Sequence, residues 1–267
     1  MKSVVDAQSA FFTQSGDGFE PTPFAVSRWS PDMITGPATC GLVARELERA
    51  HGAEGFVPAR LTVDLFRPGR MATTTVTTTS VRDGRRIKVA DASVIQDGVT
   101  VARATLVLLR TSEQPPGEVW LPDNAPQPPD VEPSTSPGFW WGSDEDPDGW
   151  TQSMRTQRNA GRKRMWGRQI GVVHGDPPSQ FVRAALAGES ASLMANWGTE
   201  GVGFINGDMT LALARLPIGA DIGLQADNHI SVAGVGIGAA TLFDRDGTFG
   251  SCVITALANP QAQVKFG

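Results

Sequence analysis

Basic charge, histidine, cysteine and long apolar runs are all scarce in this 267-residue sequence. With 23 Lys and Arg against 28 Asp and Glu, a net charge of −5 and a pI near 5.2, it lacks the cationic surplus that neutralises phosphates, which excludes a general nucleic-acid binder. Three histidines without carboxylates at ligand spacing provide no metal set. The two cysteines, Cys40 and Cys252, stand in neither a CxxC nor a Cys/His spacing and read as small buried residues of a reducing cytoplasm. No stretch approaches the ~18 apolar residues of a membrane span. The N-terminal segment has no basic start followed by an apolar run, so no secretory signal is expected, and the setting expected is cytoplasmic.

What is present is a repeat. Leu61-Thr62-Val63-Asp64-Leu65-Phe66-Arg67-Pro68-Gly69 returns, with one residue inserted, as Met209-Thr210-Leu211-Ala212-Leu213-Ala214-Arg215-Leu216-Pro217-Ile218-Gly219. Only the second copy is preceded by an aspartate, Asp208. Gln96-Asp97-Gly98 corresponds to Arg245-Asp246-Gly247, 149 positions on, and Phe12 to Ser15 leading to Trp29 parallels Trp150 to Ser153 leading to Trp166. A duplicated unit must bury its apolar faces against its twin, which places function at the shared surface.

Three segments follow: an N-terminal unit over 1–111, a linker over 112–138 with eight prolines, and a C-terminal unit over 139–267. Trp120 and Leu121 are expected to pin the linker to the domains. Each unit reads as short strands, one long helix (Pro37 to Ala50; Ser179 to Trp197), then an antiparallel meander with Asp-Gly turns. In the second unit the strands expected are Trp150 to Gln157, Lys163 to Val173, Asp208 to Arg215, Ile222 to Asp227, Val235 to Asp244 and Gly250 to Ala258. The fold class is α+β, a tandem (double) hotdog in which each half wraps an antiparallel sheet around one central helix. Pairing the two halves edge to edge makes one continuous sheet.

One local run departs from the acidic balance: Arg155, Arg158, Arg162, Lys163, Arg164 and Arg168, without an acid among them. It reads either as a solvated strand pair facing the acidic run from Asp144 to Asp148, or as a landing site for a phosphorylated carrier.

Gly36-Pro37-Ala38-Thr39-Cys40-Gly41-Leu42 resembles the helix entry of double-hotdog acyl-CoA thioesterases of the medium- and long-chain type, and Phe204-Ile205-Asn206-Gly207-Asp208-Met209-Thr210-Leu211 resembles the Ile-Asn-x-Asp-Leu-Thr strand of their actinobacterial branch. The resemblance spans nearly the whole chain. It implies hydrolysis by an aimed water without an acyl-enzyme, held by an aspartate, a hydroxyl residue and a glutamine. Asp208 matches the aspartate, His229 or Ser231 stands where the hydroxyl residue falls, and Thr255 is the nearest polar residue where the glutamine is absent. Substrate contacts are expected from Asn206, from Glu189 in the second helix, and from backbone N–H groups around Gly36, Ala38 and Thr39, which would serve the oxyanion. No cofactor is implied beyond coenzyme A as part of the substrate, and the partner is an acyl-CoA or acyl-carrier thioester. Further association into a homo-oligomer is an analogy with other hotdog proteins. The alternative function is a catalytically weakened acyl-CoA or acyl-carrier binding protein of lipid or polyketide metabolism.

Overall fold

The computed structural model describes residues 8–120, 125–132, 136–146 and 149–266. The first half lays down β1 (Ala10–Ser15), β2 (Gly18–Pro21), the helix α1 (Gly36–His51), β3 (Phe56–Leu65), β4 (Thr75–Asp83), β5 (Ile87–Gln96) and β6 (Val99–Arg110). The second adds β7 (Gly138–Ser143), β8 (Lys163–Arg168), β9 (Gly171–Val173), the helices α2 (Gln180–Glu189) and α3 (Ala191–Asn196), and the short strands β10 (Trp197–Gly198), β11 (Gly201–Val202) and β12 (Phe204–Asn206). Four long strands complete it: β13 (Asp208–Leu213), β14 (Ile222–Val232), β15 (Val235–Asp244) and β16 (Gly247–Ala258). One sheet runs β4-β5-β6-β3-β13-β16-β15-β14-β8-β7, with β12 added on β16. This is the tandem hotdog, its inner face packed on the helices.

The halves join at β3 and β13, which pair antiparallel with Leu61 opposite Leu211, Thr62 opposite Thr210 and Val63 opposite Met209. The repeat equates Leu61 with Met209, Thr62 with Thr210 and Val63 with Leu211. Thr62 therefore faces its own counterpart, Leu61 and Val63 each face the residue equated with the other, and the Thr62–Thr210 pair marks a local two-fold axis between the copies.

The helices follow from their buried faces. Ala38, Leu42, Val43 and Leu47 of α1 are fully buried, Pro37 sits in its first turn, and the Gly52 N–H closes the end on the Glu48 carbonyl at 2.7 Å. At the start of α2 the Ser179 Oγ accepts the Val182 N–H at 3.1 Å. The helices touch closely: a β-carbon at Gly41 would strike Leu186 of α2.

Several expectations differ from the structure. The second helix is broken at Ser190, whose N–H bonds back three residues to the Ala187 carbonyl at 3.0 Å and tightens the turn, so α2 ends at Glu189. The segment expected as a strand from Trp150 is a single bridge at Thr151 followed by a short 3-10 turn at Met154–Gln157; the edge strand is β7, which carries Trp140 and Trp141. The strand expected from Lys163 to Val173 divides, β8 joining β14 and β9 crossing to pair with β1 of the other half. In the first half, where the pattern suggests a strand from Phe24 to Trp29, Pro23–Ala25 form a 3-10 turn. Trp120 does not pin the linker, being 82 % exposed, and Leu121 lies outside the described residues. The linker is held instead at Val131, whose carbonyl accepts from Arg245 at 2.7 Å.

Most of the basic run is engaged within the fold. Arg162 and Arg164 pair with Asp144 at 3.0 and 3.5 Å, and Arg168 pairs with Asp221 at 2.6 Å. Lys163, 1 % exposed, donates to three acceptors: the Asn159 carbonyl, the Asn159 Oδ1 and the Gly161 carbonyl, at 2.8, 2.7 and 2.5 Å. It closes a loop and offers no landing charge.

Candidate functional site

Glu189 closes α2 as a buried carboxylate packed against the first turn of α1. A β-carbon at Gly36 would overlap Glu189 Oε1, so only glycine lets the carboxylate lie on this helix entry. Asn206, the last residue of β12, donates from Nδ2 to Glu189 Oε1 at 3.3 Å. Burial pushes the Glu189 carboxyl up to about 8, opposed in part by the Asn206 hydrogen bond. Cys40 of α1 and Cys252 of β16 are both fully buried nearby; burial first, and then the Glu189 charge, push their thiols up. Both sulfurs are therefore protonated and inert at neutral pH.

The α1 entry is narrower than expected. The Ala38 and Thr39 N–H groups are not free, because both donate to the Thr35 carbonyl, at 3.1 and 3.4 Å. Among the described residues the Gly36 N–H has no hydrogen-bond partner, and Pro37 has none to give. One donor beside the carboxylate remains.

Asp208 lies on the opposite face. Along β13 the pairing with β16 sets Thr210 against Val253, whereas along β12 it sets Asn206 against Ala256, so the register slips by one residue at Gly207. A slip of one turns the chain over. Asn206 consequently shares the inner face with Glu189, and Asp208 shares the outer face with Thr255 and with Asp64 of the neighbouring strand. Both Asp208 oxygens are occupied: Oδ1 accepts the Thr255 N–H and Oδ2 the Thr255 hydroxyl, each at 2.7 Å.

His229 and Ser231 stand farther out on the inner face. His229 Nε2 lies 3.0 Å from the Ser231 Oγ, and its ring meets Phe204 edge to face with centroids 5.2 Å apart. Ser231, Gly236, Ala256 and Asn206 form one row across the strands, which sets Ser231 about 14 Å from Asn206. The structure thus gathers Gly36, Asn206 and Glu189, pairs Asp208 with Thr255, pairs His229 with Ser231, and keeps the three groups apart.

The sequence matches the model of the acyl-CoA thioesterase N-terminal domain over residues 25–109 and that of the acyl-CoA thioesterase C-terminal domain over residues 122–257. The chain belongs to the acyl-CoA thioesterase family. As a member of that family it is a thioester hydrolase. Its fold is similar to that of the tesB protein of Mycobacterium avium subsp. paratuberculosis, with TM-score 0.62 and 16 % identity over 85 % of this chain and 88 % of that one. It is also similar to the acyl-CoA thioesterase II TesB2 of Mycobacterium marinum, with TM-score 0.62 and 12 % identity over 93 % and 94 % of the two chains. A hot dog fold protein of Alicyclobacillus acidocaldarius gives TM-score 0.65 and 17 % identity over 95 % and 96 %. At these identities the likeness is one of fold. A search of curated protein sequences returns no match.

In this thioesterase-family chain, reading residues one by one understated Glu189 and Asn206 together. A lone glutamate in an apolar helix between Gly188 and Ser190 was the available signal, since burying a carboxyl is costly without a purpose. No helix among the described residues is long and apolar enough to cross a membrane.

Proposed function

We propose that this chain hydrolyses acyl-CoA thioesters at the inner-face cluster, with Glu189 aiming and deprotonating the attacking water. The single observation that carries this reading is the buried Glu189 carboxyl, held near 8 by burial and fixed between Gly36 and Asn206. A base poised close to the working pH suits proton abstraction. The water loses a proton to Glu189 as its oxygen bonds to the thioester carbon. The resulting oxyanion faces the free Gly36 N–H at the positive end of α1. The carbon–sulfur bond then breaks, the coenzyme A sulfur leaves with the electron pair, and the proton held on Glu189 returns to it. Asn206 orients the carboxylate throughout. With both cysteines kept as thiols, no acyl-enzyme is needed. In this reading Asp208 and Thr255 fix the strand break at Gly207, and His229 and Ser231 form the rim.

The weakened acyl-thioester binding protein is favoured by one observation. The inward residues of β16 beside the cluster are Cys252, Ile254 and Ala256, so that strand contributes no polar partner for a water. Thiol release from short, medium and long acyl-CoAs by the wild type, Glu189→Gln and Asp208→Asn decides. Turnover that collapses in E189Q and persists in D208N supports the inner-face site. Turnover that collapses in D208N and persists in E189Q returns the chemistry to the outer face, and saturable binding without turnover by the wild type selects the binding protein.

A further inference from the structure

The outer face of the sheet's second half carries an apolar surface that none of the described residues covers. Ile230 and Val232 of β14 stand opposite Ile237 and Val235 of β15, Val235 stands opposite Leu257 of β16, and Val253 of β16, opposite Ala239, completes the group. These six side chains are between 39 and 75 % exposed. Together they leave on the order of 500 Å² of apolar surface in water, near the upper limit of about 600 Å² for the largest patch on an ordinary monomer. No charged residue stands between them on these strands. The outward acids, Asp208 and Asp227, lie at the margin, where they accept the hydroxyls of Thr255 and Thr241 at 2.7 and 2.9 Å. Pairing of β14 with β8 stops at Gln225, and every residue from Asp227 to Val232 is exposed. The β14–β15 hairpin therefore projects, and its outer face is open to a flat partner.

The patch belongs to one half only. On β4, β5 and β6 the outward residues at the same register are Arg82, Asp91 and Arg103, where β14, β15 and β16 carry Ile230, Ala239 and Ser251. The charges that keep the first copy's face in water are absent from the second. We infer that this face is the interface of a homodimer, two chains packing outer face on outer face about a two-fold axis, with their sheets about 10 Å apart. Such a contact sets each patch against itself, which a charge-free surface permits and a surface of one sign does not. Exposed Asn228, Ser251 and Thr255 enlarge the apolar centre to roughly the 800 Å² per partner that a stable dimer buries. An anionic lipid surface suits the face less, because the bordering groups are acids and the chain carries a net charge of −5. The inference does not depend on which group activates the water.

Sedimentation velocity tests it on the wild type, on Val235→Lys and Leu257→Lys, and on Ile87→Lys and Leu109→Lys, the cross-strand pair at the same place in the first half. The wild type is expected at twice the 28.3 kDa mass of the chain. V235K and L257K should raise the dimer dissociation constant at least about a hundredfold, since the two-fold axis introduces each buried, unpaired cation twice. I87K and L109K should leave it within about threefold. All four sites are exposed, so circular dichroism should show an unchanged fold. If a lysine variant does not fold, the double variant I230T and V232T, which stays β-branched and loses apolar surface, should weaken the dimer in the same direction. A wild type that remains monomeric at about 100 μM overturns the inference, as does a dimer that V235K and L257K leave intact or that I87K and L109K disrupt equally. A monomeric wild type that cosediments with phosphatidylcholine vesicles overturns it as well, and gives the face to a lipid surface.

Discussion

Asn206 and Asp208 are two residues apart, yet they face opposite sides of the sheet, because the pairing register on β16 slips at Gly207. Asn206 reaches the buried Glu189 at 3.3 Å, and Asp208 grips Thr255 on the outer face with two bonds of 2.7 Å. The two carboxylates of this region thereby stand in different surroundings, Glu189 buried and Asp208 on the outer face.

Asp208→Asn should behave as a structural lesion. It weakens the bonds to Thr255 that secure the break at Gly207, so chemical denaturation should show a loss of about 1–2 kcal/mol. Steady-state kcat should stay within about threefold of wild type, since no transition-state contact is removed.

Glu189→Gln should lower kcat by at least about a hundredfold, the usual contribution of a general base. Circular dichroism should show an unchanged fold, because the amide fills the same space beside Gly36.

The pH dependence follows from the Glu189 carboxyl near 8. The competent form is the carboxylate, so log(kcat/KM) should climb through pH 6 to 8 and level off above about 8. A profile flat across that range would exclude Glu189 as the base. Stability runs the other way. An ordinary glutamate titrates near 4.5, so between that pH and about 8 the folded chain keeps a proton that the unfolded chain releases. The stability due to this group is complete below 4.5 and is lost as pH rises through 8. Denaturant midpoints at pH 6 and pH 9 should differ less in E189Q than in wild type.

Asn206→Ala removes the hydrogen bond that favours the charged form of Glu189. The rise in the rate profile should therefore move to higher pH, with the plateau reached later. A profile that moves to lower pH would contradict the assigned hydrogen bond.

Gly36→Ala places a β-carbon where Glu189 Oε1 lies. The carboxylate must move, at a cost of about 1–3 kcal/mol in stability. Thiol-release assays should show kcat reduced by at least about tenfold, an effect that a substitution at the neighbouring Thr39 would not reproduce.

Much of the fold was legible in local pattern. Alternating β-branched runs located β5, β15 and β16, and the Asp97-Gly98 pair, with φ of 49° and 74°, closes its hairpin as that dipeptide predicts. The helix α1 followed from Pro37 and the spacing of Leu42, Val43 and Leu47. The break at Ser190 was not legible, because nothing between Ser179 and Trp197 forbids helix; packing of α3 on β14 and β15 turns the chain there. The edge strand β7 was hidden because two adjacent tryptophans after a proline-rich segment carry no alternation.

The sequence by itself determined the duplicated architecture, the net charge of −5 and the set of polar residues available for chemistry, because composition and periodicity act through local conformation and solvation. The tertiary structure decided which of those residues meet. Gly36, Glu189 and Asn206 come from three separate elements, and a one-residue slip at Gly207, invisible to a period-two reading, turned Asn206 inward and Asp208 outward. Side-chain facing in a sheet depends on register, and register is fixed by partner strands far away in the chain.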